Sequence, residues 1–69
     1  MVGAQEQTMT QWIVFGKRGQ LILHAETMVR AIQAAIVACG GIARDWNAHR
    51  FSTYPAHLQA RLLRESQVI

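Results

Sequence analysis

One cysteine and three histidines are the side chains in this chain most able to do chemistry. A nucleophilic cysteine needs a stabilised thiolate, usually at a helix N-terminus or beside a cation. The apolar pattern instead places Cys39 near the C-terminus of a helix and on its buried stripe, where the helix dipole disfavours an anion. We therefore interpret Cys39 as a core residue.

Metal binding, acid–base catalysis and phosphate binding also lack a recognisable residue pattern. His24, His49 and His57 lie 25 and 8 residues apart, unlike the compact ligand pairs of metal sites. The four acidic residues fall in different predicted elements, and the glycine turn at 16–19 lacks the spacing of a phosphate loop. We predict a non-enzymatic protein with no catalytic residues, no metal and no cofactor.

The most informative group of residues is basic and aromatic. Arginine, tryptophan and tyrosine are the residues that most often anchor protein interfaces. The predicted partner-binding residues are Arg44, Trp46, Arg50, Tyr54, Arg61 and Arg64. In the competing interpretation, Trp46, Phe51 and Tyr54 complete a small core while the arginines are solvated.

A basic and aromatic surface also suits single-stranded nucleic acid, because bases stack on aromatic rings and phosphates bind cations. This alternative function is direct DNA or RNA binding, with Arg44, Trp46 and Arg50 on one strand face. The residues predicted for it are Lys17, Arg18, Arg44, Trp46 and Arg50.

A hairpin and a helix over residues 11–41 organise the chain. Trp12–Phe15 and Gln20–Ala25 read as strands around a turn at 16–19, where two glycines can take positive φ. Neither strand alternates cleanly between apolar and polar residues, so we expect both faces of the sheet to be covered.

The helix is predicted over Met28–Cys39, with Thr27 as N-cap and Gly40 or Gly41 as C-cap. Its main stripe is Met28, Ile32, Ala35, Ile36 and Cys39. Only Arg30 and Gln33 are polar within it, and a helix this apolar is normally buried on more than one side. We expect a partner, which could be a second copy of the chain in a homodimer.

Residues 42–54 are ambiguous between a third strand and a turn, and we favour the strand. Ser52 or Thr53 then caps a second helix that ends near Gln67. The predicted fold is a small α+β domain of order ββαβα, with the Met28–Cys39 helix packed across the sheet. Residues 1–10 are predicted to be a disordered lead, and residues 11–69 a single domain.

Composition narrows the class of protein. The chain has 69 residues, 51% of them hydrophobic, and a net charge of +3, which favours acidic partners. We expect no signal peptide and no membrane span, since no apolar run approaches ~18 residues. A lone cysteine suggests a reducing, cytoplasmic setting.

In its small size and its lack of a catalytic set, the chain resembles small phage or mobile-element proteins, including anti-CRISPR inhibitors. That resemblance implies a short, non-enzymatic α+β protein. The expected function is a protein-binding module that occludes a surface of its partner, for example in a nucleic-acid-handling complex.

Overall fold

The computed structural model describes residues 9–69, which form a four-stranded mixed sheet with one helix on each face. The order along the sheet is β3-β1-β2-β4, and only the β2–β4 pair is parallel. This confirms the predicted α+β class and the third strand. The elements are β1 (Thr10–Gly16), β2 (Gly19–Ala25), α1 (Met28–Cys39), β3 (Trp46–Arg50), α2 (Ala56–Glu65) and β4 (Gln67–Val68).

The C-terminal end of the chain corrects the predicted order. Helix α2 stops at Glu65, and the chain then becomes extended and pairs with β2 as a short fourth strand. The Ile69 amide donates to the Ile22 carbonyl at 2.9 Å, which fixes this pairing. The predicted cap of α2, Ser52 or Thr53, is wrong: the N-cap is Pro55, and the Thr53 hydroxyl donates to the Arg50 carbonyl instead.

The N-terminal boundary differs by one residue from the prediction. Strand β1 begins at Thr10, within the segment predicted as a disordered lead. The rest of that prediction, over residues 1–8, lies outside the described part of the chain. Within residues 9–69, no helix is both long and apolar enough to cross a membrane.

The two glycines of the hairpin serve different purposes. Gly19 has a φ of 147°, so it takes the positive φ that the turn requires. Gly16 is needed for space, because a Cβ there would collide with the carbonyl oxygen of Asp45. That close approach brings the start of β3 against the end of β1.

Two tryptophans fix α1 to the sheet. The Trp12 indole donates to the carbonyl of Ala25, just before the helix, and the Trp46 indole donates to that of Gly40, just after it. Both bonds are 3.0 Å long. The large rings fill the space under the helix, so its inner positions Ala31 and Ala35 are small and fully buried.

Both predicted caps of α1 are confirmed. The Thr27 hydroxyl accepts from the Arg30 amide at 3.1 Å, and Gly40 ends the helix with a φ of 89°. The C-cap amide of Gly40 donates to Ile36. The helix is therefore held at both ends by local bonds, and at its C-terminal end also by the Trp46 indole.

The opposite face of the sheet is covered more thinly. Only Ile13, Ile22 and Phe51 form its buried cluster, with Leu62 of α2 packed against them. No residue of α2 is fully buried. Residues on β1 and β2 thus alternate between two apolar layers, which confirms that both faces are covered.

Candidate binding surfaces

The predicted partner-binding residues do not form a single surface. Arg44 lies in a 3₁₀ turn near the hairpin tip, whereas Arg50 lies at the opposite end of β3. The Arg50 guanidinium carbon is 6.0 Å from the centre of the Trp12 ring. Trp46 is only 5% exposed, so its indole belongs to the core and is not available to a partner or a base in this conformation.

The remaining three predicted residues lie on the α2 side of the sheet. Tyr54 is half-buried, and its hydroxyl lies 3.0 Å from Nδ1 of His49. Arg61 is paired along α2 with Glu65 at 3.1 Å, and Arg64 is exposed. The interpretation that aromatic residues complete a small core agrees with the burial of Trp46 and Phe51.

The residues predicted for nucleic-acid binding also separate. Lys17, Arg18 and Arg44 lie together at the hairpin end of the sheet, away from Arg50. The Arg18 guanidinium lies 3.8 Å from the Asp45 carboxylate, so part of this positive charge is compensated locally. The hairpin end of the sheet is therefore a small basic surface, and it carries no exposed tryptophan.

The outer face of α1 differs from the other surfaces of the domain in its exposed apolar residues. We define this face as Val29, Arg30, Gln33, Ala34 and Val37. Every one of these residues is exposed. Val29 retains 65% of its accessible surface and Val37 retains 87%. On the inner side, the fully buried positions Ala31 and Ala35 are small, and Ile32 and Ile36 are half-buried against the same core.

Helix propensity does not explain these two valines. Valine forms helix less well than alanine, by about 0.6 kcal/mol at the upper end, because its branched side chain has restricted χ1 freedom. A solvated helical position would be better filled by a polar residue or by alanine. Val29 and Val37 therefore lower the local stability of α1 unless something covers them.

Two further apolar side chains extend this face at its ends. Met28 is 46% exposed at the N-terminal end, and Ile42 is 56% exposed just beyond the C-terminal end. Between them only Arg30 carries a charge on the outer face. The face is therefore apolar along the whole helix, with a single cation and the amide of Gln33 as its polar groups.

The edge of β3 that does not pair with β1 is a poor site for pairing with another strand. The β1–β3 register turns the backbone groups of Trp46, Ala48 and Arg50 away from β1, toward the free edge. The Trp46 amide donates to Ala43, and the Ala48 amide donates to the side-chain oxygen of Asn47.

The third local bond at this edge is the one from the Thr53 hydroxyl to the Arg50 carbonyl, at 2.7 Å. An incoming strand would have to displace these bonds before it could pair. At the other edge of the sheet, β4 already pairs with part of β2. Edge-to-edge strand pairing is accordingly the less favourable way to bind this domain.

A groove beside the N-terminal end of α1 offers little to a ligand. Its volume of 330 Å³ is near the lower limit of small-molecule pockets, about 300 Å³, and most of its lining is exposed. Cys39 is half-buried, and residues 9–69 contain no group of three or more potential metal ligands. The groove is lined by Met9, His24, Ala25, Glu26, Arg30 and Ala34.

Sequence reasoning missed two groups of residues. Val29 and Val37 could have been found, because with Gln33 they form an i, i+4, i+8 row opposite the predicted buried stripe. The second group is the contact between Phe15 and His49, whose ring centres are 5.3 Å apart. This contact depends on the β1–β3 register, so no pattern in the sequence predicts it.

Comparisons with models of protein families, with curated proteins and with solved structures found no match. The function is therefore argued from the surfaces of the domain itself. Among them, the outer face of α1 carries the apolar side chains with the highest exposed fractions, Val37 and Val29, on a helix that is capped at both ends and bonded to Trp46 at its C-terminal end.

Proposed function

We propose that this chain is a small, non-enzymatic protein-binding module whose contact surface is the outer face of α1. The observation that carries the proposal is the exposure of Val29 and Val37, at 65% and 87%, on a helix whose opposite side is already packed on the sheet. Apolar side chains in a row on a helix are the usual anchors for docking against another protein.

The chemistry of the face favours a protein over a nucleic acid. Its only charged residue is Arg30, whereas phosphate binding draws on several cations. Burial of a valine side chain is worth about 1.5 kcal/mol or more, so two valines and their apolar neighbours can supply useful affinity. The caps at both ends and the Trp46 bond to Gly40 hold α1 in place, which reduces the entropy lost on binding.

The basic end of the domain borders this face and would favour a partner with an acidic rim. The Arg18 side chain lies against Gly40 and Gly41 at the C-terminal end of α1, and Arg44 follows in the adjoining 3₁₀ turn. Occlusion of a nucleic-acid-handling complex, as small phage inhibitors achieve, fits an apolar contact with a basic border. We place this activity in the cytoplasm, where a lone cysteine such as Cys39 stays reduced.

Site-specific photo-crosslinking in cells that express the chain tests the proposal. Val37 is replaced by p-benzoylphenylalanine, and the matched control carries the same group at Arg64, which is exposed on α2. We expect a protein adduct of defined mass from position 37 and little from position 64. Equal yields at both positions, or no protein adduct at position 37, would refute the proposed surface.

A second candidate function is supported by the clustering of Lys17, Arg18 and Arg44 at one end of the domain. Three phosphate contacts would give a log–log salt slope of at most about −3 for a mixed-sequence oligonucleotide. Removing two cations by Lys17→Ala/Arg44→Ala should then reduce the slope by about 2. Fluorescence anisotropy at several salt concentrations measures it, and a slope unchanged by the double substitution would exclude this end as the site.

A further inference from the structure

The outer face of α1 has a pattern that is symmetric along the helix. Val29, Gln33 and Val37 follow one another at intervals of four residues, so they form a single row on the helix surface. Gln33 is the midpoint of the row, with one valine on each side. Two further exposed apolar residues flank the row without sharing its spacing, Met28 at the start of the helix and Ile42 just beyond its end.

We infer that the partner of this face is a second copy of the chain, bound through an antiparallel contact of α1 with α1 about a two-fold axis at Gln33. The inference rests on the proposed function and names the partner for the same surface. In such a symmetric contact, Val29 of each copy meets Val37 of the other, and the two Gln33 side chains meet each other.

Gln33 suits a position on a two-fold axis. A side-chain amide both donates and accepts hydrogen bonds, so two copies can satisfy one another where two cations or two carboxylates would repel. A single polar pair inside an otherwise apolar helix contact also fixes its register, because a shifted alignment buries the amides without partners.

The charges at the two ends of α1 favour the antiparallel direction. Glu26 precedes the N-terminal end, while the Arg18 side chain, 3.8 Å from the Asp45 carboxylate, lies against Gly40 and Gly41 at the C-terminal end, with Arg44 in the turn that follows. Antiparallel pairing brings the Glu26 carboxylate of one copy toward the cations of the other, while parallel pairing would place like charges together. The opposed helix dipoles add to this preference.

Because local hydrogen bonds already occupy the edge of β3, the outer face of α1 is the more favourable surface for self-association. A strand-mediated dimer would have to break the local bonds of Ala48 and Arg50. Because α1 has 12 residues, or about 18 Å of length, the contact is shorter than that of a standard interface. We therefore expect a reversible dimer with a dissociation constant in the micromolar range.

Disulfide trapping of the purified full chain tests the arrangement. Gln33→Cys is introduced together with Cys39→Ala and oxidised with copper phenanthroline, and the matched control is Arg64→Cys in the same Cys39→Ala background. A two-fold axis at position 33 predicts that Gln33→Cys forms the covalent dimer at least about tenfold faster than the control. Equal rates for the two variants would overturn the inference.

Sedimentation velocity provides a second measurement on chains without new cysteines. We expect the wild type to pass from monomer to dimer as its concentration rises, and Val37→Glu to weaken the dimer by at least about tenfold. Circular dichroism confirms that the variant is folded. A wild type that stays monomeric at every concentration would overturn the inference.

The cellular photo-crosslink separates this inference from the proposed function. An adduct at position 37 with twice the mass of the chain supports both. An adduct with a different protein, together with a purified chain that remains monomeric, keeps the proposed function and refutes the second copy. No protein adduct at position 37 refutes both.

Discussion

The two faces of the sheet are packed very differently. On the α1 side, the Trp12 indole bonds to the last residue of β2, the Trp46 indole bonds to the C-cap of α1, and nine buried residues form one cluster. On the α2 side, the buried cluster has three residues, and the helix above it has none that is fully buried. The domain therefore has a principal core under α1 and a thinner apolar layer under α2.

This difference explains why the exposed valines matter. A loosely covered helix can carry apolar residues that simply complete its own packing, but α1 is already fixed by small buried residues, Ala31 and Ala35. The valines on its outer side cannot reach the sheet. Rigidity on the inner side and apolar exposure on the outer side together are what make α1 a docking element.

The largest effect is expected from removing an indole under α1. Trp46→Ala loses a buried ring and the hydrogen bond to Gly40, so it should lower the free energy of unfolding by about 3–5 kcal/mol. Urea denaturation followed by circular dichroism measures this. A loss below about 1 kcal/mol would contradict the assignment of the principal core to this side.

Enlarging an inner position of α1 should have the next largest effect. Ala35→Leu inserts three carbons between the helix and the indoles, and overpacking of this kind lowers stability by about 1–3 kcal/mol. The matched control Ala34→Leu changes an exposed position by the same number of atoms. Equal effects at positions 34 and 35 would show that α1 does not pack as closely as described.

A smaller effect is expected on the α2 side. Leu62 is only half-buried, so Leu62→Ala should cost about 1 kcal/mol, well below the ~2–5 kcal/mol of a fully buried leucine. Leu63→Ala, at the exposed neighbouring position, is the control and should be nearly neutral. If Leu62→Ala destabilised the fold as much as Trp46→Ala, the contrast between the two faces would be wrong.

The smallest effect on stability should come from the edge of β3. Asn47→Ala frees the Ala48 amide, and the lost bond of this exposed side chain is worth about 0.5 kcal/mol. The larger change is expected in self-association, because the freed edge of β3 can pair with a strand of another copy. Light scattering should show larger species for Asn47→Ala than for Asn47→Ser, whose hydroxyl can still accept a hydrogen bond.

Much of the fold could be predicted from local signals. The Thr27 cap and the Gly40 C-cap each have a residue-specific cause, and both are confirmed. Of the two hairpin glycines only Gly19 takes the predicted positive φ, while Gly16 is required by the close approach of Asp45. Strand β4 was missed, because two residues give no periodicity and the pairing depends on where α2 ends. The N-cap of α2 was wrong, since Thr53 is engaged by β3 instead.

The predicted site residues were less well placed than the elements. Composition pointed to arginines and aromatics, but only the sheet register shows that Trp46 faces α1 while Tyr54 lies on the other side. The self-complementary row on α1 was visible in the sequence as Val29, Gln33 and Val37. The sequence predicts a partner for this apolar helix, but it places the contact residues among the arginines and aromatics and not on the outer face of α1.

The most direct test of the outer face of α1 is the monomer stability of Val29→Ala/Val37→Ala, measured by urea denaturation at a concentration below that of self-association. Since alanine is the better helix former and neither valine packs in the monomer, the double variant should be more stable by about 1 kcal/mol. At higher concentration it should associate less than the wild type. A double variant less stable than the wild-type monomer would mean that these valines pack within the fold, and that α1 is not a free docking surface.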